Sequence, residues 1–177
     1  MLDKNPFKVF YCMVDFTLLD PEFNEKITEL TSVMTGLGYT LQPQSGFRSL
    51  TSQGKLWRQG RSSTLVKGQI NALTRSGFTT LADAIQSAGA QMSTKICTHA
   101  LPGYSWHNWG RALDVFVNND ASGSYELYGT LANEAEKLGL TSGFNFTTFK
   151  DPGHLQLNDK EVPELYTMKY VNDHFSQ

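Results

Sequence analysis

One decapeptide constrains the chain more than any other part of it. Ser105-Trp106-His107-Asn108-Trp109-Gly110-Arg111-Ala112-Leu113-Asp114 sets an imidazole and a carboxylate seven positions apart with a glycine between them. Glycine takes backbone conformations closed to other residues, so Gly110 lets the chain turn from a loop carrying His107 into a strand carrying Asp114. The alternation of Ala112, Asp114 and Phe116 against Leu113, Val115 and Val117 predicts that strand over Ala112–Val117. Asp114 then shares one face with Ala112 and Phe116, and the aliphatic residues take the other.

His154 lies forty positions beyond Asp114, after the turn signal Asp151-Pro152-Gly153, on the last predicted strand. Antiparallel pairing of the two strands is the simplest way to bring it beside Asp114. Two imidazole nitrogens and one carboxylate oxygen suit a borderline-soft ion such as zinc, and three protein ligands leave a fourth position for water, as in catalytic sites. Asp151 is then the candidate general base for that water. Arg48, in Ser45-Gly46-Phe47-Arg48-Ser49, is a permanent cation suited to an oxyanion or a substrate carboxylate. Trp106 and Trp109 flank His107 and suggest a groove wall. Each piece also has a plain reading: a lone histidine is commonly structural, Asp-Pro-Gly is a common turn, and tryptophans are commonly core. His99 and His174 lack a carboxylate at suggestive spacing and are read as non-ligands, His99 being the better placed to line a site.

Elsewhere the pattern is that of helices around a small sheet. Asp20-Pro21-Glu22 is a helix start, and Phe23, Ile27, Leu30, Met34 and Leu37 follow at helical spacing to Gly38. An extended stretch is expected over 39–47, helices from about Thr51, over 65–73, 81–88 and 125–138, and a further strand over 95–98. The fold class is therefore α+β, with helices packed on a small antiparallel sheet. The chain has no repeat and no linker-like tract, so residues 1–177 are expected to form a single catalytic domain.

Composition enters as an exclusion. A net charge of −2 speaks against nucleic acid as a partner, which calls for clustered Lys and Arg. Crossing a bilayer needs roughly 20 apolar residues, and no such run occurs, so no membrane insertion is expected. Met1-Leu2-Asp3-Lys4-Asn5-Pro6, followed by Lys8 and Asp15, has no secretory h-region. Cys12 and Cys97 sit among apolar residues and read as small buried hydrophobes. The oxygen-rich segment from Asn118 to Glu126 does not match an EF-hand loop and reads as a polar turn.

The chain resembles the M15 peptidases, which include D-Ala-D-Ala dipeptidases and carboxypeptidases and phage L-alanyl-D-glutamate endopeptidases. Residues 105–114 fit that family's S-x-H-x-x-G-x-A-x-D pattern at every fixed position, and Asp151-Pro152-Gly153-His154 fits its acid-x-x-His element. Ser45-Gly46-Phe47-Arg48-Ser49 with Gln53, and Gly60-Arg61-Ser62, resemble its upstream segments in family order. The resemblance implies a hedgehog/D-Ala-D-Ala peptidase-like fold and zinc on His107, Asp114 and His154. It further implies Asp151 as base, Arg48 as transition-state contact, and substrate contacts from Gln53 and Ser105, to which the groove reading adds Trp109.

The implied partner is bacterial peptidoglycan and the implied state a monomer. An Asp base and the short approach Phe149-Lys150-Asp151 look more like the phage endolysin branch, hence L-Ala-D-Glu cleavage. The alternatives are a D,D- or L,D-carboxypeptidase and a non-hydrolytic zinc-bearing binding module. Lacking a leader, such an enzyme is expected to be made in the host cytoplasm and released through a holin, or exported by other machinery. The segment 64–102 is longer than expected for a compact endolysin, and with 23 residues after His154 no separate wall-binding domain is expected.

Overall fold

In the computed structural model the described residues are 14–89 and 93–177. Cys12 and the N-terminal stretch read for a secretory signal therefore lie outside them, apart from its last residues. Helix α1 (Pro21–Gly36) begins where the sequence signals it. Asp20 Oδ1 accepts the amide hydrogens of Glu22 and Phe23, and Pro21 stands at the first turn, where its missing N–H costs nothing. Its face of Phe23, Ile27, Leu30 and Met34 is buried.

Four strands, β1 (Leu41–Ser45), β2 (Ala112–Val117), β3 (Thr141–Ser142) and β4 (His154–Gln156), form one sheet in the order β1-β2-β4-β3. All three pairings are antiparallel. Period-two alternation divides the sheet's side chains between two environments. Leu113, Val115 and Val117 of β2 and Leu155 of β4 pack with α1 and with α5 (Tyr125–Lys137) in one core. Ala112 joins a second cluster, which holds Trp57, Leu73, Leu81, Ile85, Trp106 and Val171. That cluster is built by α2 (Leu50–Arg58), α3 (Ser63–Arg75), α4 (Thr79–Gln86), α6 (Val162–Leu165) and α7 (Met168–His174).

The α+β class is as the sequence predicts, and the long 64–102 segment supplies most of α3, all of α4 and an irregular run beyond them. Residues 95–98 correct one expectation, for they form no strand. Their carbonyls are taken by side chains instead: Ser93 Oγ donates to Lys95 O at 3.3 Å and Arg61 Nη2 to Thr98 O at 3.0 Å. Cys97 corrects another, being exposed rather than buried, because no element covers that run. Residues 118–124 form a polar turn, with Asp120 accepting from the amides of Ser122 and Ser124, and Tyr125 and Glu126 already belong to the helix that follows. No helix among the described residues is long and apolar enough to cross a membrane.

Candidate metal centre and active site

Three segments meet at one end of the sheet. Trp106–Trp109 forms a 3-10 turn that ends on Gly110, whose φ of +68° is left-handed. A Cβ there would stand 2.6 Å from Leu18 O, so only glycine both makes the turn and passes under the chain entering α1. The turn is clasped to the segment after β1. His107 Nδ1–H donates to Gly46 O at 2.7 Å, Arg48 N–H to His107 O at 3.0 Å, and Asn108 Nδ2 to Arg48 O at 2.7 Å. His107 is thereby buried with Nε2 turned toward β2.

On β2 and β4, Asp114 and His154 are direct cross-strand partners, which puts their side chains on one face about 5 Å apart at Cβ. Asp114 Oδ1 lies 3.2 Å from His107 Nε2 and 2.9 Å from His154 Nδ1. Those spacings are close to the ~3.3 Å ligand separation that tetrahedral bonds of about 2 Å require. The donor set of two nitrogens and one oxygen, all within 4.8 Å of one another, therefore fits zinc.

The charges of the group are strongly coupled. Burial alone would raise the Asp114 pKa, but hydrogen bonds from His107 and His154 and their charge hold it well below the usual carboxylate range. Burial alone would lower that of His154, yet the hydrogen bond and charge of Asp114 raise it above 6.5. Phe146 lies over His154 with ring centres 5.9 Å apart.

Arg48 Nη2 stands 3.6 Å from Asp114 Oδ2, and its guanidinium is held from behind by Ser45 Oγ at 3.0 Å and Gln53 Oε1 at 2.9 Å. Burial lowers the Arg48 pKa, opposed by Asp114 and Asp151. Gln53 is fully buried, and its Nε2 donates to Ala100 O. It stands behind Arg48 as a brace, with no surface for a substrate. Trp109 packs against the C-terminal aromatic residues. Its ring stacks on Tyr166 and His174 at 5.0 and 4.5 Å, and its N–H donates to Gly103 O. Ser105 is the N-cap position of the 3-10 turn, with no capping bond from its hydroxyl. His99 is exposed, and His174 belongs to the aromatic stack.

Asp151 occupies the tight turn before β4. Its amide donates to Gly143 O and its carbonyl accepts from His154 N–H, both at 3.0 Å. A Cβ on Gly143 would come within 2.4 Å of Asp151 O, so the turn rests directly on glycine backbone. The Asp151 pKa is raised, first by burial and then by the charge of Asp114, against His154, His107 and Arg48. Residues overlooked in the sequence are Ser45, Phe146 and Gln156. Of these, Gln156 carries a usable signal, because it lies two positions after His154 on the same strand face.

A small antiparallel sheet bearing a His-Asp-His group defines a zinc peptidase of the M15 type. The chain belongs to the VanY family, described as D-alanyl-D-alanine carboxypeptidase, whose model matches residues 17–153. It is accordingly a peptidase of bacterial peptidoglycan. Solved structures similar to it include a mutant of the vancomycin resistance D,D-pentapeptidase VanY in complex with Zn(II), at 18% identity over 90% of this chain and 79% of that one, with a TM-score of 0.46. The L-Ala D-Glu endopeptidase ChiX of Serratia marcescens matches at 18% identity over 81% and 83%, with a TM-score of 0.42. The LD-carboxypeptidase LdcB matches at 22% identity over 78% and 64%, with a TM-score of 0.44. No curated protein sequence matches the chain.

Proposed function

We propose that the chain is an L-Ala-D-Glu endopeptidase acting on peptidoglycan stem peptides, with zinc held by His107, Asp114 and His154. Zinc at that group supplies Lewis acidity toward a carbonyl oxygen and toward water. Asp151 accepts the proton of the attacking water and returns it to the leaving amine, a task for which its raised pKa suits it. Arg48, fixed by Ser45 and Gln53, presents its guanidinium to the oxygen on which negative charge develops. Ser105, at the start of the turn that carries His107, and Phe146, whose ring lies 5.9 Å from that of His154, contact the substrate.

The placement of cations supports this choice of bond. A carboxypeptidase must bind a free carboxylate besides stabilising the transition state. Arg48 is the arginine whose charge acts on Asp151, beside the two imidazoles of the metal group. Arg58 is held by Ile85 O, Arg61 by Trp57 O and Thr98 O, and Arg111 by Asp20. Lys55 is exposed on α2. The second reading, D-Ala-D-Ala carboxypeptidase, is favoured by the family description itself. Digestion of purified sacculi followed by mass spectrometry separates them: new N-terminal D-Glu supports the endopeptidase, and released D-Ala with intact L-Ala-D-Glu bonds overturns it.

A further inference from the structure

The two imidazoles of the metal group face Asp114 through different ring nitrogens. His107 presents Nε2, its Nδ1–H being spent on Gly46 O. His154 presents Nδ1, and its Nε2 lies 3.0 Å from Gln156 Oε1. An amide oxygen can only accept, so Nε2 of His154 carries hydrogen in this contact. The orientation of the amide is itself fixed, because Gln156 Nε2 donates to Asn158 O at 2.7 Å, and a flipped amide would set oxygen against oxygen. Gln156 is 3% exposed, so water does not compete for the contact.

We propose that Gln156 is a positioning residue that fixes the tautomer and ring orientation of His154, so that Nδ1 is the atom offered to zinc. The proposal rests on His154 being a ligand. In free imidazole the proton exchanges between the two nitrogens, and a His154 protonated at Nδ1 would turn a hydrogen rather than a lone pair toward the metal. The side chain two positions along a strand is the nearest same-face neighbour, which is why this task falls to position 156. The opposite strand makes the space. Gln156 pairs directly with Ala112, as His154 does with Asp114. Ala112 is fully buried, and a larger side chain there would press on the amide beside it. The alanine two residues before Asp114 thus acquires a reason: it leaves room for the group that orients the opposing histidine.

The test uses the whole chain, Gln156→Met, Gln156→Glu and His154→Ala, with zinc affinity read by chelator competition and the His154 tautomer read by 15N-detected NMR of the imidazole. Gln156→Met removes the acceptor at similar volume and is expected to weaken zinc about 10- to 100-fold and to mix the two tautomers of His154. Gln156→Glu keeps an acceptor for Nε2 but cannot donate to Asn158 O, so near-wild-type affinity and a single tautomer are expected. Equal losses in Met and Glu overturn the proposal in favour of the Asn158 tether alone, and wild-type behaviour of Gln156→Met overturns it outright. Should Gln156→Met fail to fold, zinc-loaded wild type decides, since hydrogen on Nδ1 of His154 there contradicts the proposal. Undiminished zinc binding by His154→Ala would instead remove the ligand reading and this inference with it, whereas loss there with an unaffected Gln156→Met removes only the inference.

Discussion

His154 and Asp114 face each other across β4 and β2 with Nδ1 of one 2.9 Å from Oδ1 of the other. Each partner shifts the other toward its charged form, the Asp114 pKa being lowered and the His154 pKa raised. The same two atoms belong to the group that could hold a metal ion, where proton and metal would compete for one place.

Stability of the metal-free protein follows from the signs. The raised His154 pKa contributes stability that is fully present below its unfolded value near 6.5 and is lost as pH rises through the folded value. The depressed Asp114 pKa contributes stability present above about 3.8 and lost as pH falls through the folded value. Chelator-treated protein should therefore melt highest between these limits and at lower temperature once pH has risen through the folded His154 value. The increase in Tm on adding zinc should grow over the same rise in pH. Thermal melts at matched ionic strength with and without zinc check both.

Asp151→Ala should reduce hydrolysis of sacculi roughly a hundred- to ten-thousand-fold, the usual reach of general acid-base catalysis, while zinc content stays at the wild-type level. A variant that loses hydrolysis and zinc together would return Asp151 to the role of a turn residue. Retained hydrolysis would remove it as the base.

Gln53→Leu should act through Arg48. It removes the acceptor of Arg48 Nη1 and the donor to Ala100 O, which is partly buried, at a cost of about 1–3 kcal/mol. The expected kinetic signature is a fall in kcat larger than any rise in KM, since the guanidinium is asked to act on developing charge. A pure KM effect would make Gln53 a substrate contact after all.

Gly143→Ala should displace the Asp151 turn, because its Cβ would meet Asp151 O and His154 Cβ at 2.4 and 3.0 Å. Overpacking of this kind costs about 1–3 kcal/mol, and zinc affinity and hydrolysis should both fall. Denaturant melts and chelator competition measure the two parts. Trp109→Leu, by contrast, should lower Tm through the lost stacking on Tyr166 and His174 with little change in KM.

Much of the frame was legible because its signals are local. The Asp20-Pro21 cap, the periodic face of α1 and the alternation of β2 are each written within a few residues. The proximity of His154 to Asp114 was also reachable, since a strand after a turn has few ways to pair. What escaped depends on partners far along the chain. The run at 95–98 has strand-like residues, but its carbonyls are claimed by Arg61 and Ser93. Gln53 reads as a cleft residue until burial and Ala100 O reveal it as a brace. Trp109 is two positions from His107, yet the 3-10 turn sends it to α6 and α7. The C-terminal helices α6 and α7 are too short to announce themselves by periodicity.

Leu155, wedged between His154 and Gln156, is fully buried in the core beneath the sheet. A slip of β4 by one residue would drag that leucine into the polar cleft and bury both polar neighbours in oil-like surroundings, a double penalty that no catalytic residue could offset. The greasy interior thereby acts as a proofreader for the chemistry above it: a misthreaded chain is rejected on grounds of solubility before it is ever asked to hold an ion.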